Sequence, residues 1–248
     1  MDLGLTGRRA VVAAGSAGLG LGAARALAAE GVLVAICGRD RTRLAAAVEQ
    51  IGHDAVGLVA DLSHPEEATR FVTEAGEQLG GSIDIAVANA GGPPPGAPLE
   101  TNLDDYRQAM DLNFLSTVAL CNAAAPAMQQ TGWGRIVAIT SFGAREPIIT
   151  LAASSAARAA ATSYIKNLSR QVAPDGVTAN TIQPGSHDTE RIRSMYGGSS
   201  NPGAGIPVGH LGSPSDFGAI IAFLCSQQAG FITGASLVVD GGATRGLQ

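Results

Sequence analysis

Residues 9–37, RAVVAAGSAGLGLGAARALAAEGVLVAIC, decide the fold. The apolar run 9–14 reads as a strand, the Ala-rich segment 18–30 as a helix, and 32–37 as a second strand. Arg9 to Cys37 is close to the ~30 residues of a β-α-β crossover. Strand and helix are joined by Ala14-Gly15-Ser16-Ala17-Gly18-Leu19-Gly20. A glycine turn opening a helix presents backbone N–H groups to a pyrophosphate. An isolated glycine cluster is equally an ordinary flexible turn. Its place at the head of the first β-α-β unit favours phosphate.

The alternation continues outward from this unit. Helices are expected near 40–51, 64–79, 102–130, 152–172 and 214–227, and strands at 55–60, 83–88, 135–140, 177–182 and 235–239. Continuous apolar strands between helices imply a parallel sheet covered on both faces. Right-handed crossovers make it doubly wound. The expectation is one Rossmann-type α/β domain over residues 1–248, with about seven strands. The segment GGPPPGAP (91–98) can be neither helix nor central strand, because proline lacks the N–H and fixes φ. Residues 185–212, rich in Gly, Ser and Pro, read as a long loop of the kind that closes over an active site.

Composition removes whole classes of function. The net charge is −5, with no basic run, which argues against nucleic acid or an anionic membrane surface as partner. Apolar stretches are too short to span a bilayer. The N-terminus enters a strand with no signal-like segment, pointing to the cytoplasm. Cys37, Cys121 and Cys225 are far apart and read as buried free thiols. No His/Cys/Asp/Glu group has metal-ligand spacing, so no metal is expected.

Three further places read as nucleotide contacts. The second strand ends in Gly38-Arg39-Asp40, where a site selecting NAD usually has an acid on the ribose 2′-OH. A guanidinium there suits a 2′-phosphate and hence NADP(H). The alternative is a solvated Arg39 with Asp40 turned inward. Asp61 can accept from the adenine amino group or cap the next helix, a role also open to Ser63. Asn89-Ala90-Gly91 follows the fourth strand, at the carboxyl end of a sheet that lines a ligand crevice.

Together these motifs resemble the classical short-chain dehydrogenases/reductases, especially the 3-oxoacyl-carrier-protein reductase-like members, over nearly the whole chain. Gly18-Leu19-Gly20, Asp61-Leu62 and Asn89-Ala90-Gly91 match the nucleotide motifs. Asn113 matches the asparagine of the long helix, and Ser141 the catalytic serine. Pro184-Gly185 with Thr189 matches the nicotinamide segment, and Ile232 through Gly242 the C-terminal signature. The resemblance implies cofactor contacts at Ala14, Gly15, Ser16, Gly18, Leu19, Gly20, Arg39, Asp61, Leu62, Asn89, Ala90, Gly91, Arg158, Pro184, Gly185 and Thr189. It also implies a homodimer or homotetramer formed through helices 102–130 and 152–172.

Two departures stand out. Ala13-Ala14 replaces the Thr-Gly that opens the glycine motif, and Gly15 lies one position late. The family's Tyr and Lys, thirteen and seventeen residues after the serine, are Ser154 and Arg158. Tyr106, Tyr164 and Tyr196 are followed four residues on by Met110, Leu168 and Ser200, so no Tyr-x-x-x-Lys exists. Tyr164 and Lys166 are two apart and point away from each other on a helix.

Ser154 and Arg158 share a helix face at i, i+4. Arg158 can hold ribose hydroxyls and supply a fixed charge, but it does not exchange protons. A serine hydroxyl is a far weaker acid than a phenol of pKa ~10. A water held by Ser141, Ser154 and Arg158, or His187 swinging in from the loop, or the substrate's own acidic group can supply the proton. His187 also reads as a surface-loop residue, and His53, His64 and His210 as structural or surface groups. The leading expectation is an NADP(H)-dependent oxidoreductase of a carbonyl/alcohol pair through Ser141, Ser154, Arg158 and Asn113. A redox-neutral isomerase, dehydratase or cyclase, an imine or alkene reductase, and a non-catalytic NADP(H)-binding protein are the alternatives. Ile148, Ile149 and Leu151 can form an apolar wall for the small-molecule substrate, or simply core.

Overall fold

The computed structural model describes residues 1–196 and 203–247. Among them, seven parallel strands form one sheet in the order β3-β2-β1-β4-β5-β6-β7. The first half runs β1 (Arg9–Val12), α1 (Gly18–Ala29), β2 (Leu33–Gly38), α2 (Arg41–Ile51), β3 (Val56–Val59), α3 (Pro65–Gln78) and β4 (Ile85–Ala88). The second runs α4 (Leu103–Met110), α5 (Ser116–Thr131), β5 (Gly134–Ile139), α6 (Ala152–Val172), β6 (Val177–Pro184), α7 (Glu190–Tyr196), α8 (Pro214–Cys225) and β7 (Ser236–Val239). The doubly wound expectation is met strand for strand. The order reverses between β1 and β4, so the ligand crevice lies where those two strands end.

Alternation along the strands builds two cores. Val11 joins Phe71 of α3, Met128 of α5 and Ile165 of α6 on one face. Ala10 and Val12 join Leu27 of α1, Leu44 of α2 and Phe217 of α8 on the other. Phe71 and Phe217 are fully buried, each adding ~1.5–3 kcal/mol of apolar transfer. No helix among the described residues is long and apolar enough to cross a membrane.

Three expected elements differ. The first strand ends at Val12 instead of residue 14, because Ala14 turns the chain at φ 46°. The helix expected near 102–130 is broken by a π turn at Asp111–Leu115, a feature often found at functional sites. The supposed loop 185–212 contains α7. Thr189 Oγ1 accepts the Ile192 N–H at 3.3 Å, a cap that starts the helix. Residues 197–202 of that segment lie outside the described residues.

Candidate active site

The nucleotide end is built on the turn between β1 and α1. Ala17, which starts α1, gives no side-chain cap bond. The N–H groups of Gly18, Leu19 and Gly20 thus have no intrahelical partner and face the crevice end of the helix. Gly20 lets the turn and the exit of β4 close on the helix, since a Cβ there would stand 2.5 Å from Ala14 O and 2.6 Å from Asn89 Nδ2. Asn89 Nδ2 donates to Ala14 O at 3.2 Å, tying the exit of β4 to the turn. The left-handed backbone falls on Ala14, not on Gly15, so the missing glycine is replaced by a strained alanine. Gly15 keeps its own role, because its N–H donates to Cys37 O at 2.9 Å.

At the end of β2, Asp40 caps α2 by accepting the Arg43 N–H at 2.9 Å. It is therefore not turned toward a ribose. Arg39 leaves 74% of its side chain exposed and lies 3.8 Å from Asp61. Asp61 accepts from the Ser63 N–H at 3.1 Å and the Ser63 Oγ–H at 2.8 Å. Desolvation opposes ionisation of Asp61, but the Ser63 bonds and Arg39 outweigh it and hold the carboxyl below its usual range. Neither Asp61 nor Ser63 caps α3; His64 precedes that helix without a side-chain bond. Ser16 packs against Gly38, where a Cβ would meet Ser16 Oγ at 2.9 Å. Leu62 packs on the core. An open helix N-terminus and an exposed arginine at the end of β2 fit a dinucleotide.

The reaction end lies where β4 and β5 stop. Ser141 follows β5 and accepts the Gly143 N–H at 3.0 Å, leaving its own proton to donate. Ser154 is 9% exposed on the first turn of α6. Arg158, one turn on, donates from Nε to Ser154 Oγ at 3.3 Å. Its Nη1 donates to Ile139 O at 3.0 Å and Thr140 O at 2.8 Å, and its Nη2 to Ala90 O at 3.5 Å. Four of its five N–H groups are thereby used. Burial, then the nearby Arg191, lowers its pKa to about 10, so it stays charged at neutral pH. Asn113 sits in the π turn, 4% exposed, with Nδ2 donating to Ala109 O at 3.3 Å and Oδ1 lacking a protein partner.

The residues expected beside a nicotinamide are held by the ends of the last strands. Gly185 N–H donates to Val239 O at 2.9 Å, just past Pro184 at the end of β6. His187 is no surface residue: it is 4% exposed and edge-on to Phe217 at 4.8 Å. Its Nδ1 lies 3.1 Å from Gly185 O. Burial lowers its pKa despite that bond. Packed this way, it anchors the segment and does not serve as a swinging acid. His53, His64 and His210 are exposed. Tyr164 donates to Asn122 Oδ1 at 3.2 Å and Lys166 to Gly234 O at 2.8 Å, so neither enters the crevice. Ile149 is exposed, whereas Ile148 and Leu151 are half-buried beside Gly143 and Gly96.

Sequence reasoning missed Arg191. From α7 it donates to Gly92 O at 2.7 Å and Pro93 O at 2.9 Å. It also missed the ion pair between Arg43 of α2 and Glu190 of α7. No local pattern signals either, since both span about a hundred or more residues. Ser155, adjacent to the predicted serine, holds the Ile148 N–H at 3.2 Å. A cleft of about 400 Å³ opens between α1, α7 and α8 at Gly18 and Thr189. No cluster of metal-ligating side chains exists among the described residues.

Residues 13–244 match the family model described as enoyl-(acyl carrier protein) reductase. The chain is 30% identical over 246 residues to dehydrogenase/reductase SDR family member 4 of Oryctolagus cuniculus, covering 96% of this chain and 94% of that one. Its structure is similar to L-sorbose reductase from Gluconobacter frateurii, solved with NADPH and L-sorbose, with a TM-score of 0.91, 26% identity and 100% of both chains covered. It is also similar to a short chain oxidoreductase from Pseudomonas aeruginosa PAO1 containing an atypical catalytic center, with a TM-score of 0.92, 28% identity and 100% of both chains covered.

Proposed function

The chain belongs to the short-chain dehydrogenase/reductase family, and from that premise we propose that it is an NADP(H)-dependent oxidoreductase of a carbonyl/alcohol pair working through a Ser154–Arg158 centre. The observation that carries this reading is the Arg158-to-Ser154 bond beside Ser141, at the carboxyl ends of β4 and β5. The NADPH in the L-sorbose reductase structure supports the cofactor. The atypical centre of the Pseudomonas oxidoreductase supports redox chemistry without a standard site.

The cofactor, when bound, supplies hydride to a carbonyl carbon. The N–H groups of Gly18, Leu19 and Gly20 would hold its pyrophosphate, Arg39 its 2′-phosphate, Asp61 and Leu62 the adenine, and Asn89, Ala90 and Gly91 the ribose side. Pro184, Gly185 and Thr189 would border the nicotinamide.

Ser141 donates its free proton to the substrate oxygen. Ser154 accepts from Arg158, so its own proton points away from the guanidinium and makes a second donor. Arg158 keeps its charge and stabilises the oxyanion as it forms; such donors are worth ~10²–10³-fold each. The proton delivered to the alkoxide comes from water held by these groups and is replaced from bulk solvent, with the unpartnered Asn113 Oδ1 accepting a hydrogen bond from the relay water. Without a phenol, part of the usual ~10²–10⁴-fold acid catalysis is lost.

The test is a titration with NADPH and NADH by fluorescence, followed by turnover at 340 nm on ketones, quinones and acyl thioesters. NADPH is expected to bind tighter and to be oxidised, with Ser154→Ala slower and Ser154→Tyr retaining activity. NADPH that binds without being consumed moves the assignment to a redox-neutral or non-catalytic role.

A further inference from the structure

Arg158 and Arg191 grip one loop from two sides. Arg158 reaches up from α6 to Ala90 O, while Arg191 reaches across from α7 to Gly92 O and Pro93 O. Both guanidiniums therefore flank the segment leaving β4, above Ser141 and Ser154. Arg191 lies flat against Gly92, where a methyl group would overlap its guanidinium. The two like charges are close enough for Arg191 to lower the Arg158 pKa.

Such a pair ordinarily calls in a carboxylate. Here the surrounding acids are committed elsewhere. Glu190 pairs with Arg43, and Asp188 binds Arg193 at 2.7 and 2.8 Å. Glu146 accepts the N–H groups of Arg245 and Gly246, and Asp240 those of Gly242 and Thr244. Among the described residues, neither Arg158 nor Arg191 has an ion-pair partner. Arg191 uses two of its five N–H groups on carbonyls, leaving three in a fork suited to a carboxylate.

We propose that the substrate itself supplies the missing anion: it is an oxo acid or hydroxy acid whose carboxylate is bound by Arg191 within the field of Arg158. This rests on the crevice being the active site of a reductase. The half-buried Ile148 and Leu151 beside the serines take the apolar body of the molecule. Arg191 thus sets specificity from α7.

The probes are phenylpyruvate and benzoylacetate against their uncharged amides, titrated calorimetrically into the apo protein and the NADP⁺-loaded protein. With NADP⁺ bound, no hydride is available, so binding alone is read. The acids are expected to bind at least ~10-fold tighter than the amides. Arg191→Gln should erase that preference, Arg191→Lys should keep part of it, and NADP⁺ affinity should stay within about twofold of the wild type. Equal binding of acid and amide, or a preference surviving in Arg191→Gln, overturns the proposal. So does a large loss of NADP⁺ affinity in Arg191→Gln, which would assign the residue to a cofactor phosphate. An acid preference intact in a wild type that binds no NADP⁺ would support the anion site while refuting the cofactor reading.

Discussion

Replacing Arg158 by alanine separates a structural clamp from an electrostatic aid. The side chain joins the end of β5 to the exit of β4 through carbonyls at 2.8, 3.0 and 3.5 Å. A bond from a charged donor is worth ~1.5–3 kcal/mol, and the longest of the three counts for little. Removing the cation also recovers part of its desolvation penalty, so the net loss is ~2–3 kcal/mol. For a chain of this size each kcal/mol shifts Tm by ~2–4 °C, so Tm falls by roughly 4–12 °C. Arg158→Lys keeps the charge but replaces a planar fork by a point donor, and should recover about half of the loss. Arg158→Met, which fills the same space, should behave like alanine. Thermal denaturation by circular dichroism at neutral pH measures all three. A Tm of Arg158→Ala within about 1 °C of the wild type would refute the clamp, and with it the account of why an arginine stands there.

Ala14→Gly relieves a left-handed alanine that costs ~1–2 kcal/mol, against ~0.5–1 kcal/mol of added unfolded-state entropy. The variant should melt roughly 1–4 °C higher, and an unchanged or lower Tm would remove the strain argument. His187 is held below its ordinary pKa of about 6.5 by burial. Its contribution is therefore complete above that pH and is lost as pH falls, because the unfolded chain takes up the proton first. Stability should fall as pH drops below 6.5, by at most ~1.4 kcal/mol per pH unit, read as a falling Tm, and His187→Asn should flatten that slope; equal slopes would sink the idea. Arg39→Ala should weaken NADPH binding ~10–100-fold and leave NADH unchanged. Parallel losses for both cofactors would place Arg39 away from the 2′-phosphate.

The fold was legible because buried parallel strands need unbroken apolar runs, such as IAVA in β4 and RIVAI in β5. The Ser154–Arg158 pair was legible because helical spacing alone puts i and i+4 together. The cap formed by Asp40 shows the limit: an acid at the end of β2 had two readings, and only the chain's path chose between them. The strain at Ala14 was hidden because glycine-poor turns carry no mark of which residue goes left-handed. His187 was misplaced because burial by Phe217, thirty residues away, leaves no local pattern. Arg191 was invisible for the same reason, since its partners lie on the far side of the crevice.

Under the proposed function, hydride moves between NADP(H) and a carbonyl at a centre where Ser154 and Arg158 stand in for tyrosine and lysine. The most direct test is turnover of carbonyl substrates with NADPH deuterated at the transferable position, with the product read by mass spectrometry for the wild type and Ser154→Ala. One deuterium per product and one NADP⁺ formed are expected, with Ser154→Ala slower by ~10²-fold. Product free of deuterium, or a Ser154→Ala rate equal to the wild type, would contradict it.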